Sequence, residues 1–196
     1  MNYTKISEKE ILEWLNANLN EERYHHSLGT ADTAKELAIR FGLDSEKAYL
    51  AGLLHDAAKC FSKEKTDEII DNCLNIEDIE RENRKVLHAP VSAYVAKEIF
   101  GITDQEILSA IRWHTIGKTG MTTFEKIIFL ADKIEPNTRD SEYRNKLLKF
   151  LDEENGLDKA LLQCYKMTII SLVNRNLKIC PLTIDIYNDL QRTLNS

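Results

Sequence analysis

The chain has 196 residues, 43% of them hydrophobic and 30% charged, which is ordinary for a globular fold and excludes a disordered chain. The net charge of −6, with lysine and arginine dispersed, excludes a nucleic-acid-binding surface, since that needs a basic patch to replace phosphate counterions. Any anionic substrate must be attracted locally, by metal ions and a few cationic side chains.

The first predicted helix starts at Ser7-Glu8-Lys9-Glu10, which has capping-box spacing, and Ile11, Trp14 and Leu15 supply its apolar stripe. A second runs from about Glu22 to Phe41, with Leu28, Ala31, Ala34, Leu37, Ala38 and Phe41 facing inward and Gly42 placed to end it. Asp44 or Ser45 then caps a short helix, Ala48 to Leu54, apolar nearly all round and therefore central in a bundle. Residues 61 to 87 are charged and read as one or two short surface helices. Pro90 sits at a plausible first helical position of a helix that stops at Gly101. Thr103 to Glu106 reads as a second capping box, for a helix reaching Trp113-His114. Thr122 to Glu125 reads as a third, for a helix over Lys126 to Ile134 that Pro136 halts. Further amphipathic helices are predicted at about 142–151, 158–174 and 183–194. With no alternating strand pattern and no internal repeat, the fold class is all-α.

The four cysteines, Cys60, Cys73, Cys164 and Cys180, form no C-x-x-C pair and read as reduced thiols. The stretch from Met1 to Glu10 is polar, and no apolar run approaches the roughly 20 residues needed to span a bilayer. A cytoplasmic chain with no membrane partner is expected.

The five histidines, His25, His26, His55, His88 and His114, all lie at or near predicted helix ends. Taken singly, each has an ordinary explanation as a hydrogen-bonded core or surface residue, and His55-Asp56 is a common dipeptide. Position changes the weight. His55-Asp56 closes a helix too apolar to be exposed, so an imidazole and a carboxylate are carried into the bundle, where both need partners. Asp132 ends another apolar run, Ile127 to Ala131, and as an acid near a helix C-terminus it faces the unfavourable end of the dipole. Two core helices each delivering an acid inward point to a shared cation.

With these residues in place, the ordered words Arg23 to Gly29 (RYHHSLG), Gly52 to Lys59 (GLLHDAAK), His88-Ala89-Pro90, Trp113-His114-Thr115 and Ala131 to Asn137 (ADKIEPN) resemble the signature of HD-domain phosphohydrolases. HDAAK, ADKIEPN and the tail Thr168 to Asn188 resemble one branch, the YqeK-type symmetrical hydrolases of dinucleoside tetraphosphates. The resemblance implies an HD-domain helical bundle with additional C-terminal helices, a single domain over 1–196. Its metal-binding core is expected over about 20–140, with residues 141–196 completing the nucleotide pocket.

The resemblance further implies that His26, His55, Asp56 and Asp132 hold one metal, iron in this branch, with manganese, magnesium or another divalent ion as alternatives. Asp56 would bridge to a second ion on His88 and His114, or those two would face the phosphates with one metal present. His25 lies outside the matched pattern and reads as a neighbour of the site. Such ions lower the pKa of bound water and clamp phosphoryl oxygens. Lys59, three residues past Asp56, shares its face if the helix continues for a turn, which makes it a phosphate clamp. Arg139 is a second clamp, and His88 or His114 a proton donor to the departing nucleotide.

The substrate implied is diadenosine tetraphosphate, cleaved to two ADP, with the base near Arg175 to Pro181 and Arg175 and Lys178 as its cations. GDP is the alternative product. Other HD-type activities (nucleotidase, deoxynucleotide or guanosine-tetraphosphate hydrolase) share the ligands and stay open, as does a non-catalytic metal-binding module. A homodimer stays open too, because the terminal helices' apolar stripes can pack within the chain or on a partner.

Overall fold

The computed structural model describes residues 2–81 and 83–195. Its helices are α1 (Glu8–Asn18), α2 (Glu21–Arg40), α3 (Ser45–Leu54), α4 (Lys63–Cys73), α5 (Asp78–Arg81), α6 (His88–Glu98), α7 (Gln105–Trp113), α8 (Thr123–Ile134), α9 (Ser141–Leu148), α10 (Gly156–Asn174) and α11 (Pro181–Asn195), with one 3₁₀ turn at Arg84–Val86. Among the described residues there is no strand, in line with the all-α expectation. None of these helices is long and apolar enough to cross a membrane, and all four cysteines are free thiols.

The centre is α3, which contacts α2, α6, α7 and α8. Ala48, Leu50, Ala51, Leu53 and Leu54 are wholly buried there, as the all-round apolar pattern requires. Close approach to α2 depends on Gly52, where a Cβ would lie 2.9 Å from both Ala31 Cα and Thr30 O. On the far side, α8 buries Ile127, Ile128, Leu130 and Ala131 against α2 and α7. Helices α10 and α11 pair with each other, and α10 rests on α8 and α9.

Side-chain caps account for many of the helix starts, though not for those of α6 and α10. Ser7 and Thr122 both form the reciprocal capping boxes read from sequence, and Asp44 caps α3. Gly42, at φ 68°, closes α2 in the left-handed region. Two starts differ from expectation. The cap of α7 is Asp104 rather than Thr103: its carboxylate accepts from both Glu106 N and Ile107 N, and a negative charge suits the helix N-terminus better than a hydroxyl does. Helix α6 begins at His88, so Pro90 is its third residue, not its first. The ring is tolerated there because first-turn N–H groups lack intrahelical acceptors anyway. The charged segment 61–87 yields α4, α5 and the 3₁₀ turn, one element more than expected.

Candidate metal centre

Four imidazoles converge where α2, α3, α6 and α7 meet. His26 lies in the second turn of α2, His55 directly follows α3, His88 opens α6 and His114 directly follows α7. All four are buried. Three use one local device: Nδ1 donates to the carbonyl three residues back, from His55 to Gly52 (2.6 Å), from His88 to Lys85 (2.8 Å) and from His114 to Ile111 (2.7 Å). Nδ1 of His26 instead donates to Glu135 Oε1 at 3.0 Å. With the proton on Nδ1 in each ring, all four Nε2 atoms present lone pairs inward.

Those lone pairs face one another and two carboxylates. His26 Nε2 stands 3.2 Å from His55 Nε2, and His88 Nε2 stands 3.2 Å from His114 Nε2. Asp132 Oδ1 is 2.9 Å from His26 Nε2 and 3.8 Å from His55 Nε2. Asp56 lies between the two pairs. Its Oδ2 faces His55 (3.7 Å) and His26 (3.9 Å), while its Oδ1 faces His88 (3.0 Å) and His114 (3.4 Å). Despite that proximity Oδ1 is buried without an aligned hydrogen bond.

Electrostatics favours keeping His55 and His88 neutral and the two acids ionised. Burial pushes His55 down to about 3, and burial also lowers His88. For Asp56, burial opposes the charged form but the surrounding imidazoles outweigh it, and for Asp132 burial is outweighed by Lys133 and His26. His26 differs: burial is outweighed by its hydrogen bonds to Asp132 and Glu135, so it is raised. A buried set of acceptor atoms repels itself unless a cation sits among them. The sets His26, His55, Asp132 and His55, Asp56, His114 each keep their donor atoms within 4.8 Å of one another. Imidazole nitrogen with carboxylate oxygen is a donor set that divalent transition metals accept. The residues fit a metal, and the orphaned Asp56 Oδ1 is the plainest sign of it.

Cations of the chain surround the cluster. Helix α3 ends at Leu54, and tight turns follow, with Ala57 N bonded to Leu54 O and Lys59 N to Asp56 O. The helical continuation expected for Lys59 does not occur, yet its Nζ still reaches His88 Nε2 at 3.0 Å and Asp56 Oδ1 at 3.8 Å. Burial lowers the Lys59 pKa. Arg139 donates from Nε to Asp132 O (2.7 Å) and from a terminal nitrogen to Asp132 Oδ1 (2.5 Å). Arg175 and Lys178 stand apart from the metal ligands, lining a cavity of about 370 Å³ with Lys85, Ile116, Leu172 and Leu177. His25 is exposed; its backbone carbonyl accepts from Asn137 Nδ2 and its ring stands edge-on to Tyr24, away from the ligand set.

Sequence reasoning missed four contributors. Glu135 is wholly buried and also accepts from Asn137 N and Thr138 N, which fixes the carboxylate that holds His26. Lys133 bonds Asp132 Oδ2 and, at 3.3 Å, His114 O. Arg23 lies 3.5 Å from Asp56 Oδ2, and Thr115 Oγ1 lies 3.0 Å from His114 Nε2. The signal for Glu135 was present, because an acid at the end of an apolar helix needs a partner as much as Asp132 does.

A model of the HD domain family matches residues 23–137, a span that includes all six inward-facing ligand candidates. The chain is 40% identical over 183 residues to a Bacillus subtilis protein named symmetrical bis(5'-nucleosyl)-tetraphosphatase, covering 93% of this chain and 97% of that one. A Staphylococcus aureus protein of the same name is 36% identical, with 87% of each chain covered. Among solved structures, an HD superfamily hydrolase from Clostridium acetobutylicum, described as involved in NAD metabolism, superposes with a TM-score of 0.88 at 39% identity over 96% of this chain and 98% of that one.

Proposed function

The chain belongs to the HD-domain family, and from that premise we propose that it hydrolyses dinucleoside tetraphosphates symmetrically, giving two ADP from diadenosine tetraphosphate. The observation that carries this is the nearly full-length likeness, at 40% and 36% identity, to proteins named for that reaction. The other HD-type activities would use the same ligands, but the relatives described above are not named for them.

In this reading His26, His55, Asp56 and Asp132 hold one ion, and Asp56 Oδ1 with His88 and His114 forms a second position. Iron is the ion we assign, as the resemblance to this branch implies; the imidazole-rich donor set suits it, as it suits zinc or nickel, better than it suits magnesium or manganese. Ions so held supply Lewis-acid charge, which acidifies water and neutralises phosphoryl oxygens. The protein's own groups do the rest. Asp56 and Asp132 stay ionised, and the Nδ1 bonds lock each imidazole's orientation. Lys59 places an ammonium beside His88, where it compensates the charge of a diphosphate departing from the substrate's midpoint. Arg139 orients Asp132 through two donors and adds positive charge at the rim. The cavity beside Arg175 and Lys178 has apolar walls at Val86, Ile116, Leu172 and Leu177, suited to a nucleoside.

A substrate panel tests the activity. Diadenosine tetraphosphate is expected to yield only ADP, whereas AMP plus ATP, or preference for a deoxynucleotide or guanosine tetraphosphate, would contradict the reading.

A further inference from the structure

A substrate cut at its midpoint consists of two identical halves, so a symmetrical enzyme must accommodate a nucleoside diphosphate on each side of the scissile bond. The cavity between Leu172, Leu177 and Lys178 takes one. A second cavity, of about 380 Å³, has in its wall Lys59, Phe61, Lys63, Arg84, Lys85 and His88. The two cavities share Lys85 and no other lining residue.

Their chemistry differs. Both carry cations and no acid among their lining residues, on a chain of net charge −6: the first sets Lys85, Arg175 and Lys178 among four aliphatic side chains, whereas the second sets Lys59, Lys63, Arg84 and Lys85 around a single large apolar side chain, Phe61. Concentrating positive charge this way against the overall balance costs self-repulsion, which Asp67 beside Arg84 and Asp56 near Lys59 offset in part and a bound anion would relieve. The second cavity also borders the cluster: Lys59 Nζ and His88 Nε2, both in its wall, lie 3.8 Å and 3.0 Å from Asp56 Oδ1. An anion lying along it therefore has one end at the ligand set. Arg84 is anchored at the rim by Asp67, whose carboxylate is 2.8 Å away on α4, and Lys63, the first residue of α4, faces the same space.

We propose that this second cavity is the subsite for the other nucleoside diphosphate half, with Lys63 and Arg84 as phosphate contacts that select a dinucleotide substrate. The proposal rests on the symmetrical reaction above. It predicts that much of the affinity for the second half is electrostatic and falls with salt.

The test is charge reversal on the metal-loaded protein, with Lys63→Glu and Arg84→Glu made singly and together. Both side chains are exposed, a glutamate in the first turn of α4 favours the helix dipole, and the Arg84–Asp67 pair that Arg84→Glu breaks is a surface pair worth little to stability, so folding is kept. Lys97→Glu, at the opposite end of α6 from His88, controls for long-range charge. The double variant is expected to lose about tenfold or more in kcat/KM for diadenosine tetraphosphate, chiefly through KM, with a shallower salt dependence. Its metal content and its product, ADP alone, should match the wild type, the Lys97→Glu control should stay within about twofold, and Lys63→Arg should restore activity. A double variant within about twofold of the wild type overturns the subsite and leaves the symmetrical reading standing. A wild-type protein that makes no ADP from this substrate overturns both.

Discussion

Glu135 Oε1 accepts from His26 Nδ1 at 3.0 Å, across 109 positions of sequence. A carboxylate can only accept here, so the proton is fixed on Nδ1 and the Nε2 lone pair is aimed at Asp132, His55 and Asp56. Glu135 is therefore a positioning residue. Glu135→Gln keeps the volume but loses the charge that holds this tautomer, and it is expected to weaken metal binding about 10–100-fold while the helical circular dichroism stays as in the wild type. Metal titration of the stripped protein measures it. An unchanged affinity would remove Glu135 from the site.

Lys59→Met tests the clamp separately from the metal. Losing one charge-assisted contact to phosphate costs about 1.5–3 kcal/mol, or roughly 10–100-fold in kcat/KM. Metal content should be unchanged, because Lys59 supplies no ligand lone pair while its ammonium is protonated. Elemental analysis beside steady-state kinetics separates the two effects, and a variant with normal turnover would contradict the assignment.

What the sequence revealed and what it hid follow one physical line. Apolar runs at helical spacing identify α2, α3 and α8, and any polar residue at their ends is carried inward, so His55, Asp56 and Asp132 were legible. Lys59 was found for an incomplete reason: it reaches His88 from a turn rather than from a continued helix. Thr103 to Glu106 has capping-box spacing, but the cap in the fold turns on the Asp104 carboxylate, which accepts from two N–H groups and pairs with Lys47. That Glu135 needs a partner is legible from its place at the end of an apolar helix, but the partner, His26, comes from another helix, and such a pairing has no local spacing to read.

The α2–α3 contact gives a stability prediction. Gly52→Ala gains about 1 kcal/mol of helix propensity. Its Cβ, however, would meet Ala31 Cα and Thr30 O at 2.9 Å, and backbone cannot rotate away. Overpacking of this kind costs about 1–3 kcal/mol, so the net effect is a loss, with Tm falling by roughly 2–4 °C per kcal/mol. Differential scanning calorimetry reads it. A raised Tm would mean that the two helices yield easily at this crossing.

Glu125 gives a pH prediction remote from the metal ligands. It is buried, and burial opposes its charge, but Lys118, Ser109 and the Thr122 N–H outweigh that and hold it below its usual 4.5. A carboxyl depressed in the folded state contributes stability that is present above the unfolded pKa and lost as pH falls through the folded one. Glu125→Gln should therefore lower Tm at pH about 6, and the gap to the wild type should narrow as the pH falls below about 4. Thermal melts across that range check it, and a gap that widened on acidification would reverse the sign.

Asp56 is the pivot of the site, its two oxygens facing two histidine pairs. The most direct measurement is metal content together with diadenosine tetraphosphate hydrolysis by Asp56→Ala, purified anaerobically beside the wild type. The expected result is loss of bound metal and at least about a thousandfold loss of ADP release, with helical content retained because the apolar packing of α3 and α8 does not pass through this side chain. An Asp56→Ala protein that held its metal and released ADP at close to the wild-type rate would contradict it.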